Sequence, residues 1–148
     1  MTAFIDRLPT VARIALGGLF LLFGANGFLN FLPPQPPLSA EGGAFIGALA
    51  ATGYMFPLLK GTEVIAGALL LSGRYVPLAL TLLAPVIVNI LGFHLFLSPG
   101  LALPAVILAL ELYLAFAYRD AFRGVLGASA RPVARRSVHS ASLADAHA

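Results

Sequence analysis

Lys60 and Glu63 stand three residues apart inside an apolar stretch, FPLLKGTEVIAGALLL, and are the side chains best placed to do chemistry. On a helix, positions i and i+3 share a face, so the two can neutralise each other, hold a proton between them, or bind a polar group together. Five more polar residues are embedded in apolar sequence: Asn26 and Asn30, Asn89 and His94, and Glu111. The amides can hydrogen-bond between helices or to a ligand. A single histidine in apolar sequence cannot supply paired axial ligands to a haem. The chain has no phosphate loop, no metal-ligand spacing and no Ser/His/Asp set, so no catalytic residue set and no metal site are assigned. Zero cysteines exclude disulfides, thiolate metal sites and CxxC redox chemistry within this chain.

Four long apolar runs must position these residues, over 11–31, 56–71, 76–97 and 101–118. At 1.5 Å per residue each reaches across a hydrocarbon core of about 30 Å, the second only just. Composition agrees. The chain has 148 residues, 59% hydrophobic and only 10% charged, with a mean hydropathy of +0.94. A soluble domain carries about 25% charged residues, and a disordered chain would lack this apolar content. The runs are apolar on all sides, as in VPLALTLLAPVIVNILGFHLFL, which disfavours the alternating strands of a membrane barrel. The expected fold is an all-α integral membrane protein, a four-transmembrane-helix bundle in residues 1–123. The first run is longer than a signal-peptide core and no A-x-A site follows it, so it is read as a retained helix.

Punctuation places the ends. Pro57, Pro77 and Pro104 fall in first turns, where a missing N–H costs nothing, and Gly73 follows the second run as a C-cap glycine. Pro85, inside the third run, frees the Thr81 carbonyl and predicts a kink one turn before Asn89, eased by the Thr81 hydroxyl. The first connection, LPPQPPLSAEGG, is polyproline-like and leads into GAFIGALAATG, too short to span. That segment, about 43–53, is expected to be a short extracytoplasmic interfacial helix between spans one and two, covering the outer mouth of the bundle; the alternative is that it lengthens span two. Residues 124–148 lack an apolar period and read as a disordered basic cytoplasmic tail.

Charge placement sets orientation. All eight arginines (Arg7, Arg13, Arg74, Arg119, Arg123, Arg131, Arg135 and Arg136) lie before span one, at its start, between spans two and three, or after span four. The opposite connections carry Glu41 as their only charge. The positive-inside rule then puts both termini in the cytoplasm of a bacterial inner (plasma) membrane protein with an even number of spans. The pI of about 9.8 reports this topology and contact with membrane lipid rather than nucleic acid. With the helices alternating in direction, Asn26 lies about 8 Å, Lys60 about 6 Å, Asn89 about 4 Å and His94 about 11 Å outside the midplane, with Glu63 and Glu111 near it. The inner half holds only Arg13 and Thr81 as exceptions to Leu, Ala, Val and Ile. Ionisable groups at such depth cost about 2.5–3.5 kcal/mol each on insertion scales, so Asn26, Lys60, Glu63, Asn89, His94 and Glu111 are assigned to a polar, ligand-binding cavity in the outer half. Lys60 has a competing role, since its stem can snorkel outward. Asn26 and Asn89 read as interhelical hydrogen-bonding glue ahead of any catalytic role.

Arg13 followed by GGLFLLFGANGF, Glu63 within KGTEVIAGALLLSGR, and the closing LAFAYRDAF with Arg119 and Asp120 give the chain a resemblance to the DoxX family of small four-helix bacterial membrane proteins. The resemblance covers about residues 11–122. It implies an inner-membrane protein loosely linked to redox work, some relatives being subunits of quinone-reducing complexes, and it brings no catalytic residue set. Three functions follow as expectations. The first is a subunit or accessory factor of a membrane redox complex, its cavity taking a quinone or lipid-like ligand, with other membrane redox proteins as partners and oligomers allowed. The second is a small proton-coupled carrier using Glu63 and Lys60, and the third a non-catalytic assembly factor.

Overall fold

The computed structural model describes residues 7–33 and 37–126, and among them every regular element is helical. Helix α1, Leu8–Leu29, starts with a proline at its entry, where no amide is needed, and ends at Asn30, which takes the left-handed conformation (φ 48°). Helix α2, Ala40–Ala51, is N-capped by Ser39, whose Oγ accepts from the Gly42 N–H at 3.0 Å, and Glu41 in its first turn complements the helix dipole. Helix α3, Met55–Ser72, stops at Gly73, whose φ of 71° suits glycine. Helix α4, Val76–Phe96, follows a three-residue turn, and α5, Ala102–Ala117, leads into a 3-10 turn, Arg119–Phe122, and a last helical turn α6, Arg123–Leu126.

Three of these helices, α1, α3 and α4, are long and apolar enough to cross a membrane, with mean hydropathies of 1.7, 1.4 and 2.2. The fourth apolar run forms a shorter helix of 16 residues. Residues 43–53 do not lengthen the second run. Their helix begins earlier, at Ala40, and is separated from α3 by a turn with Gly53 at φ 76°. The tail expected to be irregular from residue 124 opens instead with the helical turn α6, and its remainder, 127–148, lies outside the described residues, as do Pro34, Gln35 and Pro36 of the first connection.

Helices α1, α3, α4 and α5 touch in a closed ring, α1 against α3, α3 against α4, α4 against α5 and α5 back against α1, and the α1–α3 contact is the most extensive. Small residues make that closeness. A methyl group built on Gly67 would lie 2.6 Å from the Leu21 amide nitrogen and 2.8 Å from the Gly17 carbonyl oxygen, and one on Gly17 would lie 2.8 Å from Leu70 Cβ. Further along, Gly24 meets Glu63 and Gly27 meets Lys60, so the two helices run antiparallel in constant register. The core between the four helices is built from Leu16 and Phe20, Ala66 and Leu70, Leu80, Leu83 and Ile87, and Ile107 and Leu114. The outer faces are equally apolar: Ile14, Ile65, Val88, Leu112 and Phe116 are all at least half exposed. Apolar surface on this scale needs a non-aqueous partner.

Arg13 closes the far end. One turn into α1, its guanidinium donates to the carbonyl oxygens of Leu70 and, at 3.2 Å, Leu71, the last carbonyls of α3, and it fills the space over Gly73. The Leu70 carbonyl also accepts from the capping Gly73 N–H at 3.1 Å, and both carbonyls sit at the negative end of the helix dipole, where a cation is favourable. Pro85 leaves α4 a single uninterrupted helix, and the Thr81 hydroxyl donates to the Pro77 carbonyl at 2.8 Å, one turn before its own carbonyl.

Candidate functional site

The α1–α3 register carries Lys60 and Glu63 to a cavity of about 960 Å³ whose wall is shared by α1, α2, α3, α4 and α5. Glu63 is 3% exposed and its Oε2 accepts from Lys60 Nζ at 2.8 Å. The lysine therefore turns inward, along its own helix face, and does not reach outward as a snorkelling side chain would. Its stem lies against Gly27, where a Cβ would come within 2.5 Å of Lys60 Cγ and 2.6 Å of Cδ. The ammonium also stands 5.8 Å from the centre of the Phe56 ring, on the same helix, a distance that favours a cation–π contact.

Asn89 and His94 reach the same cavity from α4. His94 Nδ1 lies 2.9 Å from the Ile90 carbonyl oxygen. A carbonyl only accepts, so the proton is assigned to Nδ1, and Nε2 of the neutral ring is an acceptor. Asn26 also lines the cavity, but its Oδ1 accepts from the Leu32 backbone N–H at 2.8 Å, fixing the turn that leaves α1. Neither Asn26 nor Asn89 makes a side-chain hydrogen bond to another helix among the described residues, so the interhelical glue expected of them is not what they supply.

Five of the six residues assigned to the site from sequence thus meet at one cavity: Asn26, Lys60, Glu63, Asn89 and His94. Glu111 does not line it. It is 6% exposed on the inward face of α5, beside Ile107 and Leu114, and one of its carboxyl oxygens is buried with no hydrogen-bond partner among the described residues. Asn30, Ser39 and Ser98 line the cavity although they were not assigned to it. A signal for them existed, since each is a polar residue at a helix end that the topology places at the same level as His94.

Helix α2 forms one side of the cavity through Phe45, Ile46 and Leu49. It is tied down at its start, where the Ser39 hydroxyl donates to the Leu97 carbonyl, and along its length by Phe45, whose ring centre is 5.9 Å from that of Phe93. The wall is otherwise aromatic and aliphatic, with Phe20, Phe23, Phe56 and Phe93 contributing rings. A cavity of this size, mostly apolar with a few polar groups on its wall, lies within the usual range of small-molecule sites, about 300–1,000 Å³. Among the described residues no group of three or more His, Asp or Glu could hold a metal ion. Comparison with protein-family models, with characterised proteins and with solved structures found no match to this chain.

Proposed function

We propose that this chain is a four-span, DoxX-like integral membrane protein of a bacterial inner membrane, whose outer-half cavity binds a quinone or lipid-like molecule in the service of a membrane redox complex. The observation that carries the binding part is the convergence of Asn26, Lys60, Glu63, Asn89 and His94 on one cavity of about 960 Å³ with aromatic walls. The polar groups fix a headgroup, and the apolar remainder accepts a tail. The fourth span is α5, which at 16 residues and 1.5 Å per residue is about 24 Å long and is extended at its end by the Arg119–Phe122 turn. Helix α2 is the interfacial, extracytoplasmic element that covers the cavity. The link to redox partners rests on the family resemblance and on the ligand class.

A second reading, a small proton-coupled carrier, is favoured by one feature: Glu63 is buried and paired with its base inside the cavity rather than at a surface. The two readings separate in one experiment. Purification in mild detergent followed by mass spectrometry of retained small molecules is expected to recover a quinone or lipid from the wild type, and Glu63→Gln and Glu63→Ala are expected to change that profile while remaining folded. An unchanged profile in both variants would remove Glu63 from binding. A carrier would instead retain no amphiphile and would acidify or alkalinise the lumen of reconstituted vesicles, a response that Glu63→Gln abolishes.

A further inference from the structure

Among the described residues the cavity wall carries ionisable side chains at three positions, Lys60, Glu63 and His94. Lys60 and Glu63 are bonded to each other at 2.8 Å, so the pair is neutral as a unit both as ammonium with carboxylate and, with the proton handed across, as amine with carboxylic acid. His94, with its proton on Nδ1 facing the Ile90 carbonyl, adds an acceptor and no charge in its neutral form. We infer that the site selects an uncharged, hydrogen-bonding headgroup and rejects an anionic one, with Glu63 as the residue that sets this choice and Gly27 as the residue that makes it hold. This rests on the binding reading above and narrows it to a ligand class, that of a neutral amphiphile carrying carbonyl or hydroxyl oxygens.

Three observations support the assignment. Among the described residues Lys60 is the only Lys or Arg on the wall, and Gly27 leaves its stem a bed on the backbone of α1, so the ammonium is directed to Glu63. A phosphate or carboxylate headgroup at that ammonium would share it with Glu63, 3% exposed, so that two anions would face one cation and a negative charge would be left uncompensated among apolar side chains. An uncompensated charge at such a site is costly, whereas a neutral headgroup adds none and leaves the pair intact. The hydrogen-bonding capacity that remains is neutral as well. The amides of Asn30 and Asn89 have no partner among the described residues, each offering a donor and an acceptor, and His94 Nε2 is a further acceptor.

A matched pair of lipids tests this directly. Diacylglycerol and phosphatidate with the same acyl chains differ only in the phosphate, and their binding to the purified full chain in one detergent is read by native mass spectrometry or ligand-dependent shift in melting temperature. The wild type is expected to hold diacylglycerol about tenfold more tightly than phosphatidate, as an uncompensated buried charge predicts. Glu63→Gln leaves Lys60 as an unpaired cation and is expected to reverse that preference. The double variant Lys60→Met with Glu63→Gln has no charge on either residue and is expected to restore it. A wild type that prefers phosphatidate, or a ratio that Glu63→Gln does not move, overturns the charge rule. Ile46→Trp, which fills the cavity from α2, distinguishes that failure from failure of the site itself. Binding abolished by Ile46→Trp keeps the cavity reading whatever the lipid ratio, and binding unaffected by it places the lipid elsewhere and overturns both.

Discussion

Gly67 shows how much of this protein depends on single atoms. A side chain built there would come within 2.6 Å of the Leu21 amide nitrogen and 2.8 Å of the Gly17 carbonyl oxygen, both backbone, so nothing nearby can rotate away. Gly67→Ala must therefore push α1 and α3 apart, and overpacking of this kind costs about 1–3 kcal/mol. Gly18 is on the same stretch of α1 with open space where its side chain would stand. The expectation is a melting temperature lowered by Gly67→Ala and unchanged or slightly raised by Gly18→Ala, measured in one detergent; equal effects would mean that the α1–α3 contact is not as close as described. The same register decides between the two roles that the sequence leaves open for Lys60, pairing with Glu63 and snorkelling outward. Its own helix tilts its Cβ outward, but the residue that decides its direction is Gly27, thirty-three positions away and visible only once α1 and α3 are paired. Glu111 is the converse case. Its place within an apolar helix was legible, and the face it presents was not, so a buried carboxyl stands outside the cavity.

At the scale of elements, apolar run length was enough to find α1, α3, α4 and α5 to within about three residues, since a run of that length in lipid has no other way to satisfy its backbone. The start of α2 was less visible because its N-cap lies in a connection dominated by prolines. Ser39 followed by Glu41 was nevertheless a readable start signal. That serine has two tasks, capping the Gly42 amide through its oxygen and donating its proton to the Leu97 carbonyl at the end of α4. Ser39→Ala removes both at once. Loss of an N-cap alone costs about 0.5–2 kcal/mol, and the second bond is what fastens α2 over the cavity. Hydrogen exchange in α2 is expected to quicken in Ser39→Ala while α1 and α3 keep the protection of the wild type. Equal acceleration in all three would show that α2 does not open independently of the rest. If α2 also governs entry, ligand off-rates rise in the same variant, which joins the energetics of one cap to the function of the cavity beneath it.

For the molecule as a whole, the two ends of the helix ring differ in chemistry. At one end lie Arg7, Arg13, Arg74, Arg119 and Arg123, with Arg13 capping α3, Arg119 donating to the Phe116 carbonyl at 3.1 Å, and Arg123 paired with Asp120 at 3.1 Å. At the other end, Glu41 is the only charged residue in the described connections and the cavity lies just beneath. By the positive-inside rule, arginine at one end of a set of apolar helices is expected to keep that end in the cytoplasm, because translocating each basic residue across the membrane is disfavoured. The absence of cysteine from the chain makes the arrangement simple to test, since every thiol introduced is the only one present. Single cysteines at Glu41, exposed in the first turn of α2, and at Arg74, exposed between α3 and α4, are treated in intact cells with a membrane-impermeant maleimide. The position at Glu41 is expected to react from outside, and the position at Arg74 only after the membrane is permeabilised. Labelling of Arg74→Cys in intact cells would reverse the orientation and place the cavity on the cytoplasmic side. Labelling of both positions from the same side would leave α3 unable to be a span and would dismantle the four-span arrangement. An outward-facing cavity follows only from the first result, because α3 must then descend from α2 at the outer surface to the arginine-bearing turn inside, carrying Lys60 and Glu63 through the outer half on the way.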